Sequence, residues 1–260
     1  MSANFSGRRN MGRRPNGHLS LRSANPALSS KTFTNLSNTT GTVMTVDGTV
    51  NKVAISLAIL LGFGYLTFSR DITSFIFVGF IGGLIVALVT IFKKNWSPIT
   101  VPIYAALEGL ALGGISSVFD EMYEGIAVQA ILLTLAILFS LLFAYRSRII
   151  KASENFKLGV TAATGGIFIV YMLGFVMSLF GGGLPILDIR NSSLMSIGFS
   201  LFVVVIASLN LVLDFDFIEE GAEQGAPKYM EWYAAFGLLV TLIWLYLEIL
   251  RLLAKLYGRR

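Results

Sequence analysis

The chain has 260 residues, of which 55% are hydrophobic and 13% charged, about half the charged share usual in soluble domains. A water-facing globule of this length would have too few charged side chains to cover its surface, so lipid is the expected solvent. The absence of Cys excludes disulfides, thiolate metal sites and Cys nucleophiles. The single His, His18, lies in a polar N-terminal stretch, so no intramembrane ligand, base or proton relay can be a histidine. A net charge of +5 would fit nucleic-acid binding, but the charges are placed otherwise.

Residues 1–50 are rich in Arg, Asn, Ser, Thr and Gly, with Arg8, Arg9, Arg13, Arg14 and Arg22 against the lone acid Asp47. So few apolar residues cannot offset the entropy of ordering, and the segment is expected to be a disordered basic tail. It is not a signal peptide, because no apolar run begins before about Val53. Such a tail suits cytoplasmic retention and contact with anionic lipid; no nucleic-acid partner is expected.

Residues 51–260 form the second zone, with apolar runs near 52–68, 72–92, 98–118, 126–145, 158–180, 193–213 and 230–256. Each approaches the roughly 20 residues needed to cross a bilayer and is nearly free of charge. The predicted fold is therefore all-α, a polytopic bundle of seven transmembrane helices in contact with the lipid bilayer. Only Ser69, Arg70 and Asp71 separate the first two runs, which must form a tight hairpin.

The loops alternate in charge. The tail, Lys93 with Lys94, and the cluster Arg146, Arg148, Lys151 and Lys157 are basic, whereas the intervening loops carry Arg70/Asp71, then Asp120, Glu121 and Glu124, then Asp188/Arg190. This places the N-terminus on the cytoplasmic side, in a membrane expected to be a bacterial inner or plasma membrane. Seven spans then put the C-terminus outside, where Lys255, Arg259 and Arg260 break the rule. The sixth loop, with Asp214, Asp216, Glu219, Glu220 and Glu223 against Lys228, reads as acidic yet cytoplasmic. A last segment that only partly spans is an open alternative.

Small residues recur every fourth position, Gly79 and Gly83 in the second run and Ala105, Gly109 and Gly113 in the third. This spacing lets helix backbones approach closely where no hydrophobic effect drives them together.

An ionisable side chain at the centre of a membrane helix costs about 2.5–3.5 kcal/mol on insertion scales, so each one calls for an explanation. Four acids stand out: Glu108, Asp214, Asp216 and Glu248. Glu108 sits midway along the third run among Tyr104, Ala105, Ala111 and Leu112, as a proton-responsive group, a cation ligand or a neutral hydrogen-bond donor between helices. Asp214 and Asp216 close the sixth run. Residues two apart do not share a helix face, so Asp214, four after Asn210, is the candidate for the interior and Asp216 for the wet loop. Glu248 can pair with Arg251 three residues on, and Thr241 lies two turns earlier on the same face.

The segments from about Ala54 to the end resemble the Bax inhibitor (YccA-like) family of membrane proteins. The matching pieces are Glu108-Gly109-Leu110-Ala111-Leu112-Gly113, Asp214-Phe215-Asp216-Phe217-Ile218, and the ending Leu245-Tyr246-Leu247-Glu248-Ile249-Leu250-Arg251-Leu252-Leu253. The resemblance implies a seven-helix bundle with the last helix central, and a pH-sensitive calcium leak gated by two aspartates that share a proton. Asp214 matches the first of these, whereas the second falls at Thr241, and no Arg in the third run can latch onto Asp214. The chain resembles a divergent branch.

The expected function is a calcium-permeable cation leak using the oxygens of Glu108 and Asp214, because hard divalent cations prefer such ligands. No bound cofactor is expected; calcium is the permeant ion. The alternative is a non-transporting partner of other membrane proteins, such as a membrane protease, docking through the acidic stretch 219–223 and the basic tail. No enzyme is expected: Ser116 has no membrane-embedded His as base, and Lys255 lies too near the end of the last run for a retinal lysine. No helix carries the Pro/Gly break of a midplane substrate site.

Overall fold

A computed structural model describes residues 42–70 and 73–259. Seven long helices follow one another: α1 (Val46–Phe68), α2 (Phe75–Phe92), α3 (Ser97–Met122), α4 (Ile126–Arg146), α5 (Glu154–Leu179), α6 (Leu194–Glu223) and α7 (Met230–Tyr257). All seven are long and apolar enough to cross a membrane. Among the described residues there is no strand beyond one antiparallel bridge, Val43 with Pro227. Most of the basic tail lies outside the described residues, as do Asp71 and Arg260.

The helix limits depart from the sequence reading in two places. Helix α1 begins at Val46, six residues early, because Thr45 caps it by accepting from the Gly48 N–H at 3.0 Å. The turn it adds is polar and invisible to hydropathy. Helix α6 runs to Glu223, ten residues beyond its apolar run. The acidic stretch 219–223 is thus helix and not a loop, and Asp214 and Asp216 lie well inside α6. Glu219 is tied down there, accepting from the Tyr145 hydroxyl of α4 at 2.5 Å.

Helix α7 is the centre. Two thirds of its apolar window (67%) is buried inside the protein, against 17% for α2 and α5, and it packs on α1, α3, α4 and α6. Helices α2 and α5 instead turn large apolar side chains outward, such as Phe77, Phe80, Phe168 and Phe175, which fits a lipid-facing position. In lipid the hydrophobic effect cannot hold such helices together, and close backbone approach takes over. Helix α3 uses it twice. Its Gly109 and Gly113 lie against the Leu60 and Gly64 carbonyls of α1, and Gly79 of α2 lies against the Leu107 carbonyl of α3. A Cβ at any of the three would collide with backbone, whereas Gly62 on α1 has open space around it.

Gly113→Ala should therefore push α1 from α3 and cost about 1–3 kcal/mol, the usual penalty of overpacking. Gly62→Ala should be neutral or gain up to about 1 kcal/mol from helix propensity. Thermal unfolding of both variants in detergent micelles checks the difference.

Candidate ion-handling site

Asp214 sits in the most deeply buried stretch of α6, where residues 210–215 are all enclosed, and is 1% exposed. The side chain beside it on α7 is Thr241. The Thr241 hydroxyl faces Asp214 but donates to the Gly237 carbonyl one turn back, at 3.3 Å, and neither Asp214 carboxylate oxygen meets a partner at full hydrogen-bond geometry. Asn210, one turn before, is satisfied: its amide donates to Thr164 of α5 at 2.9 Å and to the Ile206 carbonyl at 2.8 Å. Among the described residues, Asp214 is the one buried carboxylate with neither oxygen engaged.

The other candidate acids are arranged differently. Glu108 is half-buried and turns toward α2, where its Oε1 would lie 2.5 Å from a Cβ added at Gly83. Gly83 therefore makes room for this carboxyl. Glu108 faces α2 while Asp214 faces α7, and no group of three or more His, Cys, Asp or Glu side chains comes together among the described residues. Asp216 is no freely solvated acid of a wet loop; its Oδ2 pairs with Lys157 of α5 at 2.6 Å. Helical spacing explains the split, because Asp214 and Asp216 point to different neighbours.

Glu248 forms the expected ion pair with Arg251, at 3.3 Å along α7. The structure adds Tyr171 of α5, whose hydroxyl donates to Glu248 Oε1 at 2.6 Å and accepts from Arg251 Nη1 at 2.8 Å. The Arg251 guanidinium also lies 5.2 Å from the centre of the Tyr171 ring. One tyrosine thus binds both charges and ties α5 to the central helix.

Two buried ions escape the sequence reading. Glu231, at the start of α7, is fully buried and accepts at Oε1 from the Thr45 N–H (3.0 Å), the Thr45 hydroxyl (2.9 Å) and Lys228 (2.8 Å). It holds the beginning of α1 against α7, helped by the Met44 N–H donating to the Ala226 carbonyl at 2.7 Å. Gly48 is needed there, since a Cβ would strike the Glu231 carboxylate. Lys255 is fully buried as well, donating to the Ile186 carbonyl at 2.8 Å, Ser200 Oγ at 2.9 Å and the Ser196 carbonyl at 3.4 Å. It therefore ties α7 to the start of α6. Neither residue had a sequence signal beyond a charge near a span's end.

These features define a seven-helix membrane protein with a central last helix and an uncompensated carboxylate buried beside it. A family model, Bax inhibitor 1 like, matches residues 25–258, and the chain belongs to that family. No curated protein and no solved structure matches it.

Glu248→Ala should leave Arg251 without its counter-charge. Breaking a fully buried pair costs about 3–5 kcal/mol, and the cost here should be smaller because Arg251 keeps 28% of its side chain exposed. Glu248→Gln retains an acceptor for Tyr171 and should cost less. The double variant Glu248→Gln/Arg251→Met should recover part of the loss in an unfolding titration, as a coupled pair requires.

Proposed function

We propose that the protein is a cation leak in which Asp214 binds the passing ion, with calcium the best fit and protons as competitors. The observation that supports this is the pair of unpartnered oxygens on a carboxylate enclosed by α6 and α7. A carboxylate enclosed to this degree favours a bound proton or cation that offsets its charge. Calcium takes oxygen ligands, and the carbonyls and hydroxyls of neighbouring helices are the kind that complete such a shell. The proposed orientation keeps the N-terminus cytoplasmic, on the strength of Lys93, Lys94, Arg146, Arg148 and Lys151 in the loops on that side.

In this reading Glu108 is not a co-ligand but a separate polar group between α2 and α3. The pH dependence has a definite sign. Calcium is held by the ionised carboxylate, so flux falls as acidification protonates Asp214 and recovers as the pH rises. Thr241 cannot share a proton with Asp214 as a second carboxyl would. The response should therefore follow one titrating group.

Calcium uptake into proteoliposomes tests the proposal. Wild type should conduct, Asp214→Asn should abolish both flux and its pH dependence, and Glu108→Gln should leave them in place. Thr241→Asp should broaden the pH profile into two steps, as coupled carboxyls do. Unchanged uptake in Asp214→Asn rejects the assignment.

A further inference from the structure

We propose that a cavity between α1 and α4, beside the middle of α7, is a binding site for one hydrocarbon chain of a bilayer lipid. The cavity has a volume of about 400 Å³, within the range of roughly 300–1,000 Å³ typical of small-molecule sites. Helices α1 and α4 form its sides and barely meet, so it opens sideways toward the membrane. Its floor is α3 and α7, with Leu239, Leu242 and Ile243 among the lining side chains.

The wall rules out most other occupants. Three hydroxyls line the depth of the cavity and each is already engaged. Thr134 donates to the Ala130 carbonyl at 2.7 Å, Ser116 donates to the Leu112 carbonyl at 2.5 Å, and Tyr246 lies 2.6 Å from Ser116 Oγ, to which it is left to donate. Water would find only spare acceptor lone pairs on these hydroxyls amid an apolar surface, and an empty void would forfeit contacts across every wall.

The mouth suits a lipid. Tyr65, 72% exposed and three residues from the end of α1, stands where an aromatic ring meets the headgroup level. Val128, near the start of the antiparallel α4, faces it across the opening. A headgroup at that level sends one chain down the cavity to Leu57 and Leu239. The chain then bears on the stretch of α7 that includes Thr241, so an occupied site braces the central helix from the side that α1 and α4 leave open.

The experiment uses the full chain in phosphatidylethanolamine/phosphatidylglycerol vesicles containing a phospholipid with a diazirine in the middle of one acyl chain. After illumination, label should concentrate on residues 57–65 and 127–135 relative to the outward faces of α2 and α5, and should saturate when unlabelled lipid competes. The double variant Ile131→Phe/Leu135→Trp, which fills the cavity, should lose most of this label while α5 keeps its own. Its thermal unfolding after delipidation should be shifted less than that of wild type. Label spread evenly over all lipid-facing helices, or unaffected by the filling substitutions, overturns the proposal. Should the filled variant fail to fold, the saturation measurement on wild type decides alone: labelling of residues 57–65 and 127–135 that rises linearly with probe overturns it.

Discussion

Inside a bilayer a charge is tolerated only where the protein itself supplies the partner that water would have been, and in this chain almost all such partners converge on α7. Glu231 near its start holds the beginning of α1, Glu248 and Arg251 hold Tyr171 of α5, and Lys255 holds the loop carbonyl of Ile186 and the first turns of α6. The link through Tyr171 joins the central helix to α5, which otherwise packs chiefly on α6. Helix α5 illustrates the need. Most of its surface points outward, and a polar line along its inner face, Lys157, Thr164 and Tyr171, bonds to Asp216, Asn210 and Glu248. Charges that would be liabilities in lipid are here the attachments of the bundle.

Against that pattern Asp214 is an exception with physical meaning. Helix α7 offers it Thr241, and the threonine spends its hydroxyl on its own helix. A fold that gives partners to Glu231 Oε1, Glu248, Lys157 and Lys255 in comparable burial leaves both oxygens of Asp214 without one. An unbonded acid at the junction of α6 and α7 is thus a place where stability has been given up, which is what the proposed ion-binding role asks of it.

The sequence made the spans legible because lipid imposes length and hydropathy directly on each helix, and six of the seven starts lie within about four residues of their expected positions. The exceptions share one cause. The first turn of α1 and the last turns of α6 are polar, and their helicity depends on contacts distant in sequence, Thr45 with Glu231 and Tyr145 with Glu219. Hydropathy cannot register a helix that tertiary hydrogen bonds extend. The site was legible to the same degree. The separation of Asp214 from Asp216 followed from helical periodicity, and the Glu248–Arg251 pair from local spacing. That Glu108 turns to Gly83 of α2 and not toward Asp214 depends on how α2, α3, α6 and α7 are arranged around one another, which no spacing within a helix encodes.

The two sides of α7 then complement each other. One side meets α6 and carries Thr241 against Asp214; another lines the apolar cavity through Leu239, Leu242, Ile243 and Tyr246. These residues interleave over about two turns of one helix, so a sideways or rotational shift of that segment changes the Asp214 environment and the cavity together. Packed cores shift between discrete arrangements and do not deform continuously. A helix braced by polar ties at both ends, at Glu231 and at Glu248 to Lys255, has its freedom confined to the segment between. That segment holds both the unbonded carboxylate's neighbour and the cavity floor, so a shift confined to it would alter both together.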